Sequence, residues 1–174
     1  MMIATSPTGS HLYGTAHAGS DKDTYSIHTE MAGTKHTIRG EDDDLRIGLD
    51  PYIERLTGGA PQAVEMRYSG MAWYHPAYRP FLLGLEPDPA MLTDRYERAI
   101  RNFLDWEDKK ASPKRRRHAI RLTINREQYH RYGFINPTMT PAQKALIAEH
   151  SEQMHSIEDI LELLSAHLGI LSPR

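Results

Sequence analysis

Gly9-Ser10-His11-Leu12-Tyr13-Gly14, followed after Thr15 to Ala18 by Gly19-Ser20-Asp21-Lys22-Asp23, is the stretch on which the reading of this chain turns. Met1 to Thr5 reads as a short strand, and Thr24-Tyr25-Ser26-Ile27-His28 as another. The glycine-serine pair therefore falls on the turn after the first strand, and the two aspartates fall at the start of the second. Alternate residues of a strand point to the same side. If Asp21 and Asp23 begin the strand that continues through Ile27, they offer four oxygens to one hard cation. Mg²⁺ accepts such a set when substrate phosphates and water complete its shell. Gly9 carries no Cβ, so backbone N–H groups of its turn can come close to a phosphate. The combination reads as a phosphate cradle beside a metal clamp.

Further along, Val64-Glu65-Met66-Arg67-Tyr68 alternates as a strand does, with Val64, Met66 and Tyr68 on one face and Glu65 on the other. A two-ion site normally takes a third carboxylate, and Glu65 is the candidate. Lys114, Arg117, His118 and Arg121 recur at the spacing of one helical face. Should that face look into the site, Arg121 and His118 could hold the β- and γ-phosphates or a departing pyrophosphate. Arg115 and Arg116 beside them could dock a nucleic-acid acceptor.

In these residues the chain resembles the DNA polymerase β-like nucleotidyltransferase superfamily, whose signature is a Gly-Ser turn followed about ten residues later by Asp-x-Asp. Here the match is Gly9-Ser10, Asp21 and Asp23. The likeness is closer to a group of predicted bacterial and phage nucleotidyltransferases with Gly-Ser-x-x-x-Gly and Ser-Asp-x-Asp. Gly59-Ala60-Pro61-Gln62-Ala63-Val64-Glu65 is similar to that group's Asn-Pro followed by Leu-Glu, and His118-Ala119-Ile120-Arg121-Leu122 to its His-Ala-hydrophobic-Arg-Leu helix. The departures are Ala60 in place of asparagine and His11 where a basic residue often follows the Gly-Ser pair. The resemblance implies an enzyme that moves a nucleoside monophosphate from an NTP to an acceptor hydroxyl on RNA, protein or a small molecule, releasing pyrophosphate; the absence of cysteine makes the cytoplasm the default compartment. Asp21 and Asp23 would hold Mg²⁺ or Mn²⁺, and Glu65 would assist a second ion or the acceptor. Gly9, Ser10, His118 and Arg121 would bind the nucleotide.

The arrangement of the chain suits this expectation. Most of the glycine and the short β-type runs lie early, and the later part is charged with longer helical periodicity, which predicts an α+β catalytic core over 1–88 and a helical region over 89–174 packed on it. Leu45 to Leu56 could be helical, with Pro51 breaking or kinking it and Gly58-Gly59 ending it. Tyr74 to Pro89, with four prolines, is the passage between the halves. Thr93 can cap a helix running to about Trp106, and Ser112-Pro113 opens another that ends at Gly133. Thr140-Pro141-Ala142-Gln143 has the form of a capping box. Ser156-Ile157-Glu158-Asp159 starts a helix whose core stripe includes Leu161, Leu164 and Leu168, with Gly169 as its stop.

Composition narrows the alternatives. The 174 residues carry a formal charge of -2, from 21 basic and 23 acidic side chains, so any polyanion contact must be local. There is no cysteine, which excludes disulfides and thiolate chemistry. The ten histidines show no compact zinc-ligand spacing, and the lysine that a P-loop requires before Thr15 is absent. No apolar run approaches the ~20 residues of a membrane span, and the start does not read as a signal peptide. Asp21 and Asp23 could also be an ordinary polar turn. Two competing functions are a nucleotide-binding module with a decayed site and an RNA-binding helical protein led by Lys114 to Arg117.

Overall fold

A computed structural model describes residues 1–39, 42–104 and 112–173. Five strands form one mixed sheet: β1 (Met2–Pro7), β2 (Thr24–His28), β3 (Thr34–Arg39), β4 (Asp42–Gly48) and β5 (Trp73–Tyr74), in the spatial order β3-β4-β2-β1-β5. β1 runs antiparallel to β2 and β5, and β3 antiparallel to β4, while β2 and β4 are parallel. The parallel pair is in one-to-one register from Thr24 opposite Asp44 to His28 opposite Gly48. This puts Tyr25, Ile27, Leu45 and Ile47 on one face, and Thr24, Ser26, Asp44 and Arg46 on the other. The apolar face is covered: Tyr25, Ile27 and Ile47 are fully buried. The polar face ties itself together through Thr24 Oγ1 donating to Asp44 Oδ1 at 2.9 Å and Arg46 Nε donating to Asp44 Oδ2 at 2.8 Å.

Eight helices accompany the sheet among the described residues: α1 (Gly9–Tyr13), α2 (Leu49–Thr57), α3 (Pro61–Tyr68), α4 (Arg79–Gly84), α5 (Pro89–Leu104), α6 (Pro113–Tyr132), α7 (Pro141–His150) and α8 (Ile157–Ala166). α2 packs on β2 and β4, and its Tyr52 ring meets Tyr25 at 6.3 Å. α6 is the central helix of the later half. Every residue from Ala119 to Arg126 is buried, so α6 has no solvent face there and packs on α5, α7 and α8. One continuous cluster of buried apolar side chains runs from Ile3 to Leu171.

Several caps read from the sequence are present. Ser112 accepts from Arg115 N with Pro113 in the first turn, Gly133 closes α6 in the left-handed region, and reciprocal capping boxes join Thr140 to Gln143 and Ser156 to Asp159. Thr37 and Ile38 lie in β3.

Other expectations are corrected. Val64 to Tyr68 is helical, not extended. Ala63, Val64, Glu65 and Met66 are all buried, so nothing alternates with solvent. Ala60 and Pro61 set a helix start, and Gly59 at φ 72° brings that turn so close to α5 that a Cβ there would collide with the Leu92 backbone. Leu45 belongs to β4, and Pro51 sits in the first turn of α2, where its missing N–H costs nothing. α5 starts at Pro89, and Asp88 Oδ1 accepts from Met91 N in place of a Thr93 cap. The expected helix end at Trp106 lies outside the described residues. The passage from Tyr74 to Pro89 contains α4. α8 ends at Ala166, before Gly169, and Leu168 is half exposed, outside the core stripe. No helix among the described residues is long and apolar enough to cross a membrane.

Candidate active site

A cavity of about 420 Å³ opens where the carboxyl-side turn of β1, the starts of β2 and β4, and helices α2, α3, α5 and α6 converge. The sheet and its turns line one side with Thr8, Gly9, Asp23, Tyr25 and Asp43, and α2 adds Arg55. The helices line the other side with Tyr13, Glu65, Ala99, Phe103, His118 and Arg121, and the start of α3 contributes Ala60 to Ala63.

On the sheet side the two halves of the motif meet. Thr8 N donates to Asp23 O at 2.9 Å, which ties the glycine turn to the acidic loop. Gly9 has φ 58°, and a Cβ built on it would stand 2.5 Å from Asp23 Oδ2. Only glycine satisfies both conditions. The start of α1 has no side-chain cap, so its first N–H groups are not spent on Thr8.

The acidic loop is fastened to β4 as well. Lys22 N donates to Asp42 Oδ1 at 2.8 Å, and Asp43 N donates to Asp23 Oδ1 at 3.1 Å. Because Thr24 pairs with Asp44, Asp23 and Asp43 come level one residue before the paired segment. β3 supplies a further contact, His36 Nε2 against Asp43 Oδ1. β2 begins at Thr24, so Asp21 and Asp23 both precede the strand. Asp23 lines the cavity, whereas Asp21 and Ser10 do not.

Asp43 was not among the residues singled out from sequence. Its signal there was the run Asp42-Asp43-Asp44 ahead of the alternating Leu45 and Ile47. Only the parallel pairing of β4 with β2 connects that run to Asp23.

Glu65 does line the cavity, on a buried helix and not on a strand's solvent face; it is 2% exposed. Its carboxylate is surrounded by donors. Arg121 Nη1 and Asn125 Nδ2 donate to Oε1, the latter at 3.1 Å, and Tyr13 Oη donates to Oε2 at 3.0 Å. The Arg121 guanidinium also lies 3.6 Å over the Tyr13 ring, a cation–π contact in a desolvated place. Burial alone would pull the Arg121 pKa down, but the Glu65 carboxylate and Tyr13 outweigh it and hold it above the ordinary value. Burial, reinforced by Glu65, likewise pushes the Tyr13 hydroxyl up. Arg121 is thus charged, and its charge is already matched.

His118 is in the opposite condition. Burial, with the Arg121 and Lys114 charges nearby, lowers its pKa to about 4, so the imidazole is neutral at neutral pH. Its ring stacks on Phe103 with centroids 5.2 Å apart and planes at 20°, and meets Tyr13 edge-on at 6.3 Å. Lys114 and Arg117, on the same helical face, are exposed. Arg115 and Arg116 are turned inward to carbonyl oxygens, Arg115 to Asn102 and Phe103, Arg116 to Glu152.

Among the described residues no three His, Asp or Glu side chains stand close enough to enclose a metal ion by themselves. Mg²⁺ commonly takes one or two carboxylates and completes its shell with phosphate and water, and Asp23 with Asp43 is a donor set of that kind. No protein-family model matches the chain, and no curated protein matches it.

Proposed function

We propose that this chain is a divalent-metal-dependent nucleotidyltransferase that transfers a nucleoside monophosphate from an NTP to an acceptor hydroxyl. The observation that carries the reading is the approach of Gly9 to Asp23, which leaves no room for a Cβ between the glycine turn and the carboxylate. Two segments far apart in their sequence roles, a phosphate-type turn and an acidic loop, share one cavity mouth. The ordered likeness to the DNA polymerase β-like superfamily from Gly9 to Leu122 supports the same reading.

In this proposal Asp23 and Asp43 would hold Mg²⁺ or Mn²⁺, with Asp21 next to them on the loop. Such an ion neutralises charge on the α-phosphate and activates an attacking hydroxyl. Gly9 would present its backbone N–H to the phosphates, with Ser10 next to it on the turn. Glu65, whose oxygens are taken up by Tyr13, Arg121 and Asn125, serves as the positioning residue for Arg121 and not as the third carboxylate. Asp43 takes that place.

The test is incubation with each α-labelled NTP, Mg²⁺ or Mn²⁺ and a cell extract, in wild type and in Asp23→Asn. Label should pass to one class of macromolecule or small molecule in wild type and be lost in the variant. Equal labelling by a folded Asp23→Asn protein would end the proposal.

A further inference from the structure

We propose that the helix-lined side of the cavity is a pocket for the base of the NTP, and that Phe103 and His118 form its stacking wall. The inference rests on the nucleotidyltransferase reading and assigns to His118 a role different from the phosphate contact that its place beside Arg121 in the sequence suggests.

Charge is the first argument. A triphosphate needs uncompensated positive charge or a row of free amides. The helix-lined side offers neither among its side chains. Arg121 is 6% exposed and is paired with the Glu65 carboxylate, so a phosphate placed there would meet the carboxylate as closely as the guanidinium. His118 is neutral, and the two remaining cations of that helical face, Lys114 and Arg117, are exposed and do not line the cavity.

Shape and surface are the second. Phe103 and His118 lie nearly parallel, and Tyr13 closes the corner edge-on. Ala99 and Leu122 add apolar surface. A flat, uncharged, polar-edged ring gains from this wall through stacking, and a nucleobase is the part of an NTP with those properties. The exposed Gln62 amide at the start of α3 can meet the edge of a base.

Continuity is the third. Asp23 and Asp43 line the sheet side of the same cavity. A nucleotide whose phosphates lie against the acidic loop and Gly9 therefore directs its base toward α5 and α6.

The experiment is calorimetry on the full chain with Mg²⁺ and two kinds of probe: inorganic triphosphate, and the four NTPs in a non-transferable form with a methylene between the α- and β-phosphates. Wild type should bind at least one NTP analogue about 5-fold to 100-fold more tightly than triphosphate, the range one base–aromatic stack produces. Phe103→Leu should remove that advantage and leave triphosphate affinity unchanged. His118→Phe, which keeps an uncharged aromatic surface, should retain it. Equal affinity for NTP and triphosphate in wild type, or parallel loss of both probes in Phe103→Leu, overturns the base pocket while the nucleotidyltransferase reading stands. Loss of triphosphate binding in His118→Phe does the same, because it marks a phosphate contact. Failure of wild type to bind either probe overturns both. If Phe103→Leu does not fold, as judged by its thermal transition, the wild-type comparison and His118→Phe still decide.

Discussion

The Glu65 carboxylate and the Arg121 guanidinium form a buried ion pair that fastens α3 to α6 at the cavity wall, with Tyr13 of α1 and Asn125 of α6 donating to the same carboxylate. Three elements far apart in the chain are held by one acidic group. A buried charge stripped of its partner is costly, and each donor around it then loses an acceptor.

Glu65→Ala should accordingly destabilise the fold by about 3–5 kcal/mol, the usual cost of breaking a buried pair. Urea unfolding followed by far-UV circular dichroism measures it. A loss below about 1 kcal/mol, typical of exposed pairs, would contradict the buried network.

Gly9→Ala tests the glycine turn. The left-handed φ and the contact with Asp23 Oδ2 both oppose a side chain, so about 1–3 kcal/mol of local strain is expected. The strain falls on the cavity mouth, and α1 is short, so nucleotide transfer should fall much further than thermal stability. Unchanged transfer in Gly9→Ala would show that the turn does not hold its conformation for the reaction.

Asp43→Asn and Asp21→Asn separate the two candidates for the partner of Asp23 at the metal. Pyrophosphate release should drop more than about 100-fold in Asp23→Asn and in Asp43→Asn, beyond the 10–100-fold that groups supporting a metal ligand usually cost. Asp21→Asn should be milder, because Asp21 does not line the cavity. A ranking with Asp21 most damaging and Asp43 harmless would reverse the assignment.

His118 carries a pH signature. Its pKa is lowered to about 4 in the folded protein, first by burial and then by Arg121 and Lys114, whereas the unfolded chain titrates near the ordinary value of 6.5. Between those values the unfolded state binds the extra proton. Folding stability contributed by the neutral ring is therefore whole above about pH 6.5 and is lost as pH falls toward 4. His118→Phe should flatten that part of the profile, as read from urea midpoints at several pH values. In the wild-type protein an imidazole resonance of His118 titrating near 6.5 would contradict the burial.

Local chemistry made some of this legible in advance. A serine with proline after it, the Thr140 and Ser156 capping boxes and Gly133 each act within one helical turn, so sequence alone placed those helix ends. The β2 strand and the glycine and aspartate of the cavity mouth were legible for the same reason, since their residue types restrict backbone and charge wherever the chain goes. Val64 to Tyr68 was not legible. Its apolar spacing fits a strand, and burial of four residues in a row removed the solvent face that would have shown a helix.

What tertiary structure alone decided was pairing. The parallel register of β2 with β4 brings Asp43 level with Asp23, and no local pattern encodes which strands will be neighbours. The packing of α3 against α6 turned Arg121 from a free cation into the partner of Glu65, and burial made His118 neutral. Residue type determines which charges a chain possesses; the distance between segments remote in sequence, and the water excluded between them, determines which of those charges are left to act on a ligand.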